Sequence, residues 1–364
     1  MSVSPSSAPD RGYRGLLPRL PRLEDESYAD FVEGLRVLCG AGMSQPAMMA
    51  LHGALGTPPA PVPQMDRVAL RQIGDPIPVL ATRNRLLRSS QQMMWRSLNE
   101  SFGLRRAEIE AALAAAETQG PGTLEWSPDF PVPEYTRREF HIQPGGYQGD
   151  ALTGHVYHYG TKVFFRGDND HDELHAKLVA RVPAPADGRV QQVLDLACSV
   201  GQSTTAFKSR FPQAAVTGID YSAPMLRVAH RRAAMLGSDV TFAQRLIEDT
   251  RYPAQQFDIV FAFIVFHELP LRIIRDTVRE AARVTRPGGI FAVYDFTGTA
   301  AQSPFQRYHR WWDARHNGEP YSQDFCDCDF DAILAEHGFV VAGAKLGQRA
   351  GGTGYMQHWF ATRS

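Results

Sequence analysis

The sequence predicts an α/β protein in which a doubly wound, mostly parallel sheet follows a mainly helical N-terminal domain. Three observations lead there. From about residue 188, short apolar runs alternate with amphipathic helical stretches, the rhythm of βαβ units. Before about residue 138, apolar residues recur at helical spacing and no strand-like alternation occurs. Near the C-terminus, two strand-like runs, Phe339–Lys345 and Tyr355–Thr362, are joined only by the Gly-rich LGQRAGGTG, a connection so short that the pair must be antiparallel.

The elements follow in order. Residues 1–22, rich in Ser, Pro and Arg, read as a disordered tail, and the opening MSVSPSSAPDRGYRG lacks the apolar core of a secretory signal. Residues 23–150 hold the helical domain and an irregular connection, suited to a lid, a homodimer contact or both. A helix is expected from Ser27, capped by that side chain with Asp30 three residues on. Phe31, Leu35 and Leu38 would form its inner face and Gly40 its stop. The Pro-rich GTPPAPVPQ at 56–64 interrupts the pattern, and helical stretches return at Gln91–Leu98 and Arg105–Glu117. Pro and Gly crowd 119–150, which should lie over the second domain, residues 151–364. There, strands are expected at Val190–Ala197, Ala215–Asp220, Val240–Arg245, Phe257–Phe266 and Ile290–Phe296. Helices are expected between them at Ser203–Phe211, Ala223–Leu236 and Leu271–Val284, the last with Leu271, Ile274, Val278 and Ala281 on one stripe.

Composition narrows the function. The chain of 364 residues allows about two domains. A hydrophobic fraction of 43%, a charged fraction of 21% and a net charge of -1 are those of an ordinary globular protein with no field to draw nucleic acid. No run reaches the ~18 apolar residues of a membrane span. Cys39, Cys198, Cys326 and Cys328 are too few for a disulfide framework, so a reduced, cytoplasmic protein is expected.

The first strand of the second domain ends in Asp195-Leu196-Ala197-Cys198-Ser199-Val200-Gly201, and a helix follows. Small residues at 197, 199 and 201 admit a ligand close to the backbone, and a helix N-terminus favours a carboxylate. Asp220 ends the next strand about 20 residues later, the offset at which an acid accepts ribose hydroxyls. A dinucleotide site would show G-x-G-x-x-G, whereas Ala197, Ser199 and Gln202 fill those places here.

Four segments in order, VLDLACSVG, GIDYSAPML, FDIVFAFIVFHELP and EAARVTRPGGIFAVYDF, resemble the class I methyltransferases that use S-adenosylmethionine (SAM), and most closely the small-molecule group called type 11. The resemblance covers 190–364. It implies a Rossmann-like sheet of seven strands with an antiparallel last strand, and SAM as cofactor with S-adenosylhomocysteine as product. Carried over by position, Asp195 orients the methionine end, and Ala197, Ser199 and Gly201 pass under the cofactor. Asp220 holds the ribose, Tyr221 lies along the adenine, and Phe263 packs near the sulfonium. Leu246 stands where the family places an acid for the adenine amine, which leaves Ile247 through its N–H and Glu248 or Asp249 as substitutes. Ser199 replaces the usual Gly.

Methyl transfer from a sulfonium is an in-line displacement, so the protein mainly orients and desolvates. His267, after the fourth strand, is the candidate base or acceptor-orienting residue, and the neighbouring Glu268 reads as structural. Two aromatic clusters are candidates for the acceptor pocket: Tyr157-His158-Tyr159, and Tyr308, His309 and Trp312 with Phe305 and Trp311. Asp295 lies near the end of the fifth strand, within reach of a substrate. His155/His158, His171/His175 and Cys326/Cys328 each lack an assignable third ligand, and no metal is expected. The expected reaction is methylation of a small molecule at O, C or N. Another SAM-dependent reaction such as cyclisation, a non-catalytic scaffold, and a macromolecule methyltransferase stay open as alternatives.

Overall fold

The computed structural model describes residues 11–56, 65–165, 167, 169–341, 345–347 and 356–364. The first ten residues, most of the Pro-rich break and most of the Gly-rich connection before residue 356 lie outside them. No helix among the described residues is long and apolar enough to cross a membrane.

The chain opens with a small hairpin, β1 (Tyr13–Arg14) and β2 (Leu17–Pro18). Leu17 and Leu20 are buried, so residues 11–22 belong to the packed structure, contrary to the expected disordered tail. Helices α1 (Leu23–Val37), α2 (Ser44–Leu55), α3 (Arg67–Gly74), α4 (Pro78–Gly103) and α5 (Arg106–Ala116) follow. α1 starts four residues before Ser27, and the chain passes Gly40 in a π-helical turn, Leu38–Gly42. The inner face of α1 is Ala29 and Val32, continued by Cys39, whereas Phe31 is 60% and Leu38 52% exposed. The helical period is right, but the inward stripe lies one residue away from the expected one.

The second domain begins with α6 (Thr153–Phe164) and α7 (Glu173–Arg181). The winding follows with β4 (Gln192–Leu196), α8 (Gln202–Arg210), β5 (Ala215–Asp220), α9 (Ala223–Met235), β6 (Thr241–Gln244), β7 (Phe257–Phe263), α10 (Leu271–Val284) and β8 (Thr285–Phe296). The chain closes with α11 (Pro304–His316), α12 (Ser322–Asp327), α13 (Phe330–Glu336), β9 (Phe339–Val341), β10 (Lys345–Gly347) and β11 (Met356–Arg363). β8 already includes the expected Pro287-Gly288-Gly289 turn.

The sheet runs β10-β11-β8-β7-β4-β5-β6, with β3 (Thr123–Glu125) at the far edge and β9 also on β11. The strands from β3 to β8 pair in parallel, while β9, β10 and β11 are antiparallel. The described sheet has nine strands against the seven expected. One extra strand, β3, comes from the connection read as irregular. It reaches the β6 edge because Gly122 lies so close to the Val240 carbonyl that a Cβ would meet it at 2.2 Å.

Alternate residues of the central strands point to opposite faces. Val193 packs with Phe207, Leu226 and Phe242 on the α8–α9 side. Leu194 packs with Ile274, Val278 and Phe291 on the α10 side, while Leu271 is exposed. Both faces are covered, as a parallel sheet requires. The N-terminal helices share a core with the second domain: Val32, Trp95 and Phe102 pack with Val156 of α6 and Val228 of α9. Strand order reverses beside β4, where β5 lies on one side and β7 on the other. Ligands of doubly wound sheets bind beyond the carboxyl ends of the strands at such a point.

Candidate functional site

A cavity opens at that reversal, walled by the ends of β4, β5 and β7. The turn after β4 carries Ala197, Ser199 and Gly201 at positive φ. For Ala197 and Ser199 this left-handed backbone costs about 1 kcal/mol each, the kind of strain found where a chain must approach a ligand. Ala197 and Ser199 line the cavity. Gly201 does not: a Cβ there would meet the Phe242 ring at 2.6 Å, so this glycine serves helix packing and not the expected passage under a cofactor.

Asp195 lines the cavity and is buried, its Oδ2 accepting from the Ser203 and Thr204 hydroxyls at 2.6 Å each. Burial pushes its carboxyl up to about 7 despite those bonds. Asp220 accepts the N–H groups of Ser199 at 3.0 Å and Ser222 at 2.9 Å, one on each oxygen. Burial raises it to about 6. Each oxygen keeps a further lone pair. Tyr221, Ile247 and Phe263 line the same space. The Tyr221 hydroxyl is buried with no hydrogen-bond partner among the described residues. Glu248 turns away and accepts from the Tyr135 hydroxyl at 2.6 Å, so it does not line the cavity. The roof comes from the connection, through Tyr135, Phe140 and Tyr147, and from Tyr157 of α6.

A second cavity of about 300 Å³ adjoins the first, and Tyr157, Thr161, Phe165, Ile264 and Glu268 line both. Its far walls come from the N-terminal helices, through Arg36, Arg83 and Gln91, and from the α11 region, through His309, Arg310 and Glu319. His267 faces it from the short 3-10 turn after β7. Nδ1 of His267 lies 2.8 Å from Oδ1 of Asp295, and the ring lies 4.1 Å from that of Phe296. Burial pulls the His267 imidazole down, but the charge and hydrogen bond of Asp295 outweigh it and hold the imidazole above its ordinary value. Nε2 is buried with no partner among the described residues. Asp295, fully buried, also accepts the Phe266 N–H, so it stands behind His267 and does not line the pocket.

The aromatic clusters divide. Tyr157 lines both cavities and His309 the second. The helical turn of α6 carries His158 to the opposite side, near Val228 and Arg232, and packs Tyr159 against Phe102. Tyr308 faces α3, donating to Asp75 at 2.9 Å, and Trp312 packs on His316. These four therefore leave the expected acceptor pocket.

Sequence reasoning missed His141 and Glu319 and took Glu268 as structural. Nε2 of His141 lies 3.0 Å from Oε1 of Glu268, and Nδ1 lies 3.3 Å from Oε1 of Glu319. Burial lowers the His141 imidazole, but these two carboxylates push it up to about 10. Glu268 also accepts from the Tyr147 hydroxyl at 2.9 Å. The His141 backbone sits at φ 53, and its carbonyl accepts from Trp95 Nε1 at 2.8 Å, which pins it in place. The metal-like spacings in the sequence do not converge: His175 meets Asn169 and His158 faces α9. Ligand atoms of His141, His267 and Glu268 instead lie within 4.8 Å of one another. The one sequence signal was the run of ionisable residues around His141, which no spacing rule ties to residue 267.

Residues 193–289 match the family model described as a methyltransferase domain. This segment is thus similar to methyltransferase domains. Over 108 residues the chain is 37% identical to a ubiquinone/menaquinone biosynthesis C-methyltransferase of Bdellovibrio bacteriovorus, covering 29% of this chain and 44% of that one. Over 118 residues it is 37% identical to a trans-aconitate 2-methyltransferase of Methylobacterium nodulans, covering 32% and 42%. The chain thus spans less than half the length of these curated relatives. A magnesium protoporphyrin IX methyltransferase of Synechocystis PCC 6803, solved with bound SAM, is similar at 20% identity and a TM-score of 0.38, covering 55% of this chain and 84% of that one. The matched segment holds the β4 turn, Asp220 and His267, whereas His141 and Glu319 lie outside it.

Proposed function

We propose that the chain is a SAM-dependent methyltransferase whose acceptor is a small molecule held in the second cavity. One observation carries the reading: a cradle of Asp195, the strained 197–201 turn and Asp220 shares a wall with a separate chamber that three parts of the chain enclose. The donor set fits the cofactor. Asp220 offers spare lone pairs to ribose hydroxyls, and Asp195 offers a carboxylate to an ammonium group. The orphaned Tyr221 hydroxyl marks a polar place still to be filled. When bound, SAM supplies a sulfonium methyl open to in-line displacement.

The chain's own residues then have three tasks. Asp195 and Asp220 hold the two ends of the nucleoside and amino acid. Tyr157, Ile264 and Glu268 stand between the cavities and set the line from acceptor to methyl group. The N-terminal helices act as a lid, since Arg36, Arg83 and Gln91 close the acceptor chamber and exclude water. His267, held by Asp295, orients the acceptor. The exposed Leu23 and Phe31 of α1 support a homodimer contact on that face. Four free cysteines support a reducing, cytoplasmic setting.

Incubation with methyl-labelled SAM and a panel of small hydroxy acids, phenols and quinols tests the reading. Label transferred to one acceptor, with S-adenosylhomocysteine formed in equal amount, is expected. Absence of SAM binding by calorimetry overturns it.

A further inference from the structure

We propose that His141, His267 and Glu268 form a site for a divalent transition-metal ion on the wall of the second cavity, and that this ion binds an oxygen of the acceptor. The inference rests on the methyltransferase reading for the role of the ion, but not for its binding.

Three observations on separate segments carry it. First, the ligand atoms already converge within 4.8 Å although the residues come from the connection and from the turn after β7. Second, each imidazole is backed by a carboxylate on Nδ1: Asp295 at 2.8 Å behind His267 and Glu319 at 3.3 Å behind His141. A carboxylate behind the histidine is the arrangement that orients metal-bound imidazoles and raises their basicity. Third, Nε2 of His267 is buried and has no partner among the described residues.

A protonated His141 bridging Glu268 and Glu319 accounts for that residue alone. It leaves Nε2 of His267 unsatisfied in a buried place, which folded proteins rarely tolerate. A cation shared by both Nε2 atoms and the Glu268 carboxylate satisfies all three groups, and its charge replaces the proton that His141 gives up. Two imidazoles and one carboxylate suit Zn²⁺, Mn²⁺ or Fe²⁺ and are poor ligands for Mg²⁺ or Ca²⁺. Three protein ligands leave coordination positions open, and the trio lines the acceptor cavity. The acceptor class that follows is an alcohol, phenol or enol. Its O–H bond breaks on coordination and the proton goes to water. The oxygen then forms the O–C bond as the S–C bond breaks, and both electrons of that bond stay on the departing thioether.

The test strips the full-length protein with a chelator, dialyses it against Zn²⁺ or Mn²⁺ alone and counts bound metal by mass spectrometry. The expected result is one equivalent per chain, with affinity reduced at least 100-fold in His267→Gln and in Glu268→Gln. Co²⁺ absorption should report an imidazole-containing site in the wild type. Glu268→Gln keeps the side chain's shape, so circular dichroism and the melting temperature separate lost ligation from lost folding. Metal binding below a tenth of an equivalent, or equal binding in folded Glu268→Gln, overturns the site. SAM affinity measured on the same stripped protein separates the two claims. SAM binding by the stripped protein together with no metal uptake on dialysis sinks this inference and spares the methyltransferase reading. Metal binding without SAM supports the site and sinks that reading.

Discussion

Nδ1 of His267 and Oδ1 of Asp295 lie 2.8 Å apart, and both side chains are sealed from solvent. The pair bridges adjacent strands, since His267 follows β7 and Asp295 lies near the end of β8. Asp295 also takes the N–H groups of Phe266 and Phe296, so the carboxylate is fixed before it meets the ring. It therefore aims Nε2 of His267 at the second cavity.

Asp295→Asn puts an amide where three donors converge, and the imidazole loses its fixed orientation. Steady-state kinetics should show kcat lowered about 10- to 100-fold, the usual loss when such a supporting carboxylate is removed. Calorimetry should show SAM affinity unchanged, because Asp295 does not line the first cavity. A variant with wild-type kcat would remove Asp295 as a positioning residue.

Gly201→Ala tests a packing role. The residue sits at φ 75 with the Phe242 ring where a Cβ would go. Overpacking and left-handed strain together should destabilise the fold by about 2–4 kcal/mol, read as a lowered urea midpoint. Any fall in SAM affinity should be small in the fraction that remains folded. A variant as stable as the wild type that binds SAM poorly would return Gly201 to the cofactor floor.

The cradle should respond to pH. Burial holds Asp195 at about 7 and Asp220 at about 6 in the free protein. A carboxylate must be ionised to hold an ammonium, so affinity is complete above these values and declines as pH falls through them. SAM affinity should drop about tenfold from pH 8 to pH 6, the loss expected when a group of pKa about 7 must be ionised. Asp195→Asn should bind weakly at both pH values and flatten the profile. Tighter binding at pH 6 would contradict the placement of Asp195 beside the ammonium.

Much of the second domain was legible because local signals and fold agree there. Ala215–Asp220 and Leu271–Val284 match the expected bounds, and the Asp195 and Asp220 ends of neighbouring strands meet as the winding demands. The acceptor side was not legible. His141 comes close to Glu268 only because the connection folds back, across a separation of 127 positions that no periodicity links. Position on α6 decided between Tyr157, which faces the cavity, and His158, which turns away, and the cluster's composition carries no such phase. α1 failed for the same reason: its apolar residues are too many to mark one face, and packing against α4 and α6 chose Ala29 and Val32.

Calorimetric titration of the wild type and Asp220→Ala with SAM at pH 8 tests the central claim most directly. Asp220 ties the β4 turn to the β5 end, through Ser199 and Ser222. One SAM per wild-type chain is expected, with at least about a 100-fold loss in the variant, as charge-assisted bonds to ribose disappear. Absence of binding to the wild type, or equal affinity in a folded Asp220→Ala, would contradict it.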